Sequence, residues 1–79
     1  MDLIRRFNNR YPNGSIVVVR IMTEETGIEM FKATVTPDVD KPERNFTSYA
    51  KEVTNGRDNA LEVAQGRAVN NALILVLTD

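Results

Sequence analysis

SIVVVRIMTEETGIEMFKATVT, residues 15–36, decides the fold class, because two strand-forming runs flank a short polar turn. Residues 15–23 are dense in β-branched side chains, which fit a pleated and packed surface better than a helix. Their alternation places Val17, Val19 and Ile21 on one face and Ile16, Val18, Arg20 and Met22 on the other. Apolar groups on both faces predict a strand that is central in its sheet or covered twice. Residues 24–27 (EETG) read as a turn, and residues 28–36 as a second strand. There Phe31, Ala33 and Val35 share one face, while Lys32, Thr34 and Thr36 share the other. So short a connection implies an antiparallel hairpin.

Working outward, Leu3, Ile4 and Phe7 stand at helical spacing, with Asp2 before them and Arg10 near the end. Both charges suit the helix dipole, and Pro12, Asn13 and Gly14 stop the helix after two turns. Residues 37–44 (PDVDKPER) carry two prolines and five charges and predict an exposed loop. Residues 45–53 (NFTSYAKEV) read as a third strand, followed by a turn at 54–58 containing Asn55-Gly56. The closing helix begins from Asn59 as N-cap, with Glu62 at capping-box spacing. Leu61, Ala64, Ala68, Ala72 and Leu75 form its apolar stripe. The predicted order is α-β-β-β-α, a single α+β domain over 1–79 with a three-stranded antiparallel sheet and a long C-terminal helix on one face.

Gly66 interrupts that helix at a cost of about 1 kcal/mol relative to Ala. Beside Ala64 and Ala68 it makes a flat side that lets a sheet or a second helix approach closely; otherwise it faces solvent and is tolerated. Asn70 and Asn71 fall on or near the polar face.

The 79 residues contain no cysteine and no histidine. That excludes a disulfide framework, a thiolate metal site and the commonest general base. Glu24 and Glu25 are adjacent carboxylates without a third ligand, and Asp38 and Asp40 lack the rest of a calcium loop. No phosphate-binding glycine loop is present. Binding without catalysis is the expectation, with no metal, cofactor or small-molecule substrate implied. The longest apolar run, ALILVL at 72–77, is too short to span a bilayer, and no signal peptide is readable; a cytoplasmic protein fits.

The net charge is −1, but residues 1–20 hold Arg5, Arg6, Arg10 and Arg20 against Asp2 alone. A basic end and an acidic middle allow a polyanion to bind one face, or faces of two copies to pair. The 72–77 run offers more apolar surface than one helix side hides, so self-association is expected, through this run or through the apolar outer face of 15–23.

Four segments carry a resemblance: DLIRRFNNRYPNGSI (2–16), FKATV (31–35), SYAKEV (48–53) and ALEVAQGRAVNNAL (60–73). They resemble small phage recombination proteins with an opening helix ending in Tyr-Pro-x-Gly, a Lys/Arg-Ala-x-Val strand, an ATGYAEE-like strand and an Ala-rich closing helix. That group is related to the single-strand annealing superfamily, which includes the Rad-type annealing mediator. In the closing helix of this chain the small-residue and Arg positions are shifted from the phage pattern. The resemblance implies a β-β-β-α core, assembly into rings or filaments, and a groove for single-stranded DNA between the hairpin region and the long helix. A phage-encoded chain of this kind acts in the host cytoplasm.

Sequence-independent binding of a single strand needs cations along the phosphates and aromatic surfaces under the bases. The candidates are Arg5, Arg6, Arg10, Arg20, Lys32, Lys51, Arg57 and Arg67 for the first and Tyr49 for the second, with Tyr11 more fitted to capping the core. The family groove favours Lys51, Arg57 and Arg67, then Arg20 and Lys32. Two other readings share the pattern. A double-stranded-RNA-binding domain has the same element order, but here Asp58 and Glu62 offset Arg57 where that fold needs cations. A protein-interaction module would use the acidic 24–43 region and the 72–77 run.

Overall fold

A computed structural model describes residues 2–22, 29–51 and 60–79. The order is helix α1 (Leu3–Arg10), strands β1 (Ser15–Met22), β2 (Glu29–Thr36) and β3 (Phe46–Lys51), and helix α2 (Ala60–Leu77). The three strands form one antiparallel sheet in the order β1-β2-β3, and α2 packs mainly across β2 and β3. The α-β-β-β-α reading therefore holds; β3 begins at Phe46, one residue later than predicted, and the predicted strand residues 23, 28, 52 and 53 lie outside the described residues. The turns at 24–27 and 54–58, the Asn59 cap and Arg57 lie outside the described residues.

Local chemistry explains the first helix. The Asp2 carboxylate accepts from the Ile4 N–H at 3.0 Å, the ordinary N-cap bond. Tyr11 N–H closes the last turn on the Phe7 carbonyl at 2.8 Å. Of the three apolar residues at helical spacing, Phe7 is fully buried, Leu3 is half-buried and Ile4 stays 44% exposed. The Tyr11 ring lies 5.4 Å from the Phe7 ring and half-buried, which is the core-capping role.

The core sits between one face of the sheet and α2. Phe31, Ala33 and Val35 of β2 face Ala64, Ala68, Ala72, Leu73 and Val76, and Phe7 closes one end. Alanines at 64, 68 and 72 recur every fourth residue, keep that side of α2 flat, and let its backbone approach the sheet. This i+4 line ends on Val76, with Leu73 buried beside it; the predicted Leu75 lies off it, 48% exposed.

Gly66 is exposed, and a Cβ added there would meet nothing within 4 Å, so the flat face is made by the alanines and Gly66 is tolerated. Asn70 and Asn71 are exposed as expected. Of the two glycines among the described residues, Gly14 is the one that close packing demands. A Cβ there would sit 2.5 Å from Phe7 Cζ and 2.9 Å from the Thr36 carbonyl oxygen, the first inside the core and the second fixed backbone.

The 37–45 connection is fastened at both ends. Asn13 Nδ2 donates to Asp38 Oδ1 at 2.7 Å and to Asp40 Oδ2 at 3.1 Å, and Val39 N–H donates to the Asn13 carbonyl at 3.0 Å. At the far end Arg44 pairs with Asp79 at 2.6 Å. Asp38 and Asp40 thus hold the loop to the β1 approach.

One expectation fails. β1 is an edge strand, not a central or doubly covered one, because β2 lies between it and β3. Its register with β2 pairs Ile16, Val18 and Arg20 with the inward Val35, Ala33 and Phe31. Val17 and Val19 consequently face outward and are 52% and 45% exposed. Apolar content told of contact on two faces, but no element among the described residues supplies the second contact.

Candidate nucleic-acid interface

Strand alternation puts half of the sheet residues on the face opposite α2. Pairing then arranges them in ranks across the three strands. Val17, Thr34 and Thr47 form one rank; Val19, Lys32 and Tyr49 form the next; Ile21, Met30 and Lys51 form the third. Ser15 and Thr36 complete the face. No helix covers it among the described residues, and Tyr49 is 53% exposed.

Lys32 and Tyr49 are direct cross-strand partners, so their Cβ atoms lie about 5 Å apart. Lys51 stands two residues along β3, about 7 Å from Tyr49 on the same side. Tyr49 thus has one lysine across the ladder and another along its own strand. Thr34 and Thr47 approach through their hydroxyls at 3.5 Å in the neighbouring rank. Among its described residues this face carries Lys32 and Lys51 and no carboxylate, although the chain as a whole is net negative.

The other candidates do not join them. Arg67 is exposed on α2, away from the buried Ala64-Ala68-Ala72 line, and so on the opposite side of the two-layer structure. Arg20 is exposed near the end of β1, but its register partner is Phe31, which gives it to the α2 side of the sheet. Arg5 and Arg6 are exposed on α1. Arg10 donates to the Leu77 carbonyl at 3.1 Å and lies 5.3 Å from the Tyr11 ring centre, so it caps α2 at its C-terminus. Arg57 lies outside the described residues.

The groove implied between hairpin and long helix is not open between β2, β3 and α2: side chains of both layers fill the space there. Lys51 and Arg67, grouped by the family pattern, end up on opposite sides. Sequence reasoning missed that Val17, Val19, Ile21 and Met30 share one face with Tyr49 and the lysines. The signal was present in the parity of the strand positions, once a hairpin register is assigned.

No helix among the described residues is long and apolar enough to cross a membrane, and no group of three potential metal ligands occurs among them. No family model, curated protein or solved structure matches the chain.

Proposed function

We propose that the chain binds single-stranded DNA on the open face of its sheet, without catalysis, as the core of an oligomeric recombination or annealing protein acting in the cytoplasm. The observation that carries this reading is the Lys32–Tyr49–Lys51 group on a face with no carboxylate among its described residues. An exposed ring with two lysines beside it gives a base a surface to lie on and gives neighbouring phosphates cationic partners. Duplex geometry fits less well, since bases stacked inside a helix present no face to Tyr49. The sequence resemblance to phage annealing proteins points to the same ligand, but the surface differs: the open sheet face replaces the hairpin–helix groove, and Arg67 drops out.

Magnitudes bound the affinity. Stacking contributes about 1–3 kcal/mol per base. Each lysine–phosphate contact lowers the salt slope by roughly 0.7 on a single strand. One copy of this surface therefore binds weakly.

The test is an anisotropy titration with labelled single-stranded DNA, duplex DNA and duplex RNA at two salt concentrations. Single-strand preference is expected, with Tyr49→Ala weakening binding about 5- to 150-fold. Replacing both lysines (K32A/K51A) should flatten the salt slope by about 1.4. Duplex-RNA preference would transfer the protein to the double-stranded-RNA-binding class. Absence of binding to all three would leave a protein-interaction module.

A further inference from the structure

We propose that the outer edge of β1 pairs antiparallel with β1 of a second copy, joining two three-stranded sheets into one of six strands. β1 carries a mismatch between composition and surroundings. Its sequence, SIVVVRIM, has the composition of a strand with neighbours on both sides, yet no strand among the described residues pairs its outer edge. Edge strands are ordinarily protected by lysines, prolines, bulges, inward-pointing charges or shortness. Of these β1 has one inward charge, Arg20 near its end; its eight residues otherwise pair with β2 in unbroken register with no proline, lysine or bulge.

Self-pairing suits this strand. A two-fold axis normal to the sheet keeps outward side chains outward, so residues of like parity must face one another. Centred on Val18, the axis sets Val17 opposite Val19 of the second copy, Val19 opposite Val17, and Ile16 opposite Arg20. The exposed valines would then become four neighbours on one face, and the two Arg20 side chains would stay four residues apart along the ladder. β3 is the poorer edge for a second copy, with six residues including Thr47, Ser48 and Lys51. Because α2 lies mainly over β2 and β3, the space above β1 is the least covered part of the inner face, and two helices would not collide there.

Size sets the strength. An eight-residue edge is about 26 Å long on a layer about 10 Å thick, so pairing covers on the order of 250 Å² per copy, roughly 500 Å² in total, which is below the area of a standard specific interface and leaves the ladder hydrogen bonds to hold the pair. The dimer is therefore weak and depends on concentration. It would also set Lys32, Tyr49 and Lys51 of both copies on one continuous face, five strand spacings or about 24 Å apart at the tyrosines. That consequence rests on the nucleic-acid reading, whereas the dimer does not.

Sedimentation equilibrium without DNA is the first test. Mass should rise from monomer to dimer with concentration. V17K/V19K, on exposed positions, should hold the mass at one chain with an unchanged circular dichroism spectrum. Since the chain has no cysteine, single-cysteine variants report the register: Val17→Cys mixed with Val19→Cys should form a disulfide-linked pair on oxidation, and Val17→Cys alone should not. A monomer at every concentration, or a dimer unmoved by V17K/V19K, would overturn the proposal. K32A/K51A should leave the mass unchanged while weakening DNA binding, so the two readings fail separately.

Discussion

The two faces of the sheet use the same alternating strands to opposite ends. On the inner face Phe31, Ala33 and Val35 are at most 7% exposed and meet the flat alanine side of α2. On the outer face Val17, Val19 and Tyr49 are 45–53% exposed. Over β2 the inner face has its partners within the chain; the outer face has cations, a ring and valines without a covering layer among the described residues. Stability should therefore reside in one face and recognition in the other.

The sharpest way to break that contrast is at its inner end. Phe7→Ala empties a fully buried position and should cost about 3–5 kcal/mol, measured by chemical denaturation. A domain of this size has little more than that to lose. A small effect would mean that Phe7 does not close the core.

Gly14→Ala comes next. The new methyl would overlap the Phe7 ring and the Thr36 carbonyl, neither of which has room to retreat, so a loss of about 1–3 kcal/mol is expected. Gly66→Ala should move stability the other way. Its Cβ enters open space on the exposed side of α2, and the helix should gain about 1 kcal/mol, raising the melting temperature by roughly 4–8 °C. The opposite signs of two glycine-to-alanine changes would measure how far the packed layer extends.

On the outer face, Tyr49→Ala and Val17→Thr should each change monomer stability by less than about 0.5 kcal/mol in denaturation, as exposed positions ordinarily do. A loss above 2 kcal/mol at either would show that this face is already packed against something, and the contrast would fall. Surface electrostatics should matter least. Arg44→Ala removes an exposed pair with Asp79 and should cost about 0–1 kcal/mol, less at high salt.

Much of the fold was legible without coordinates. The β-branched run, the Asp2 cap and the stop at Pro12–Gly14, and the alanine period of the last helix made the element order legible, because each depends on chemistry within a few residues along the chain. The roles of Tyr11 and of Asn70 and Asn71 followed from the same local rules. The candidate site was legible only as a set of residue types: nine residues were named from charge and aromaticity, and the fold brings three of them, Lys32, Tyr49 and Lys51, to one place.

What local chemistry could not decide was neighbourhood. Whether β1 is central or at the edge depends on which strand β3 chooses, and the pairing it makes joins residues 11 to 21 positions apart in sequence. The same choice separates Lys51 from Arg67 and turns Arg20 away from the lysines. Leu75 and Gly66 show the limit on a finer scale, since a few tens of degrees of rotation about the α2 axis decide which side chains meet the sheet. Alternation and helical period determine which residues share a face. Only the packing of the layers determines which face is closed and which is left for another molecule, because that depends on the sum of contacts across the whole chain.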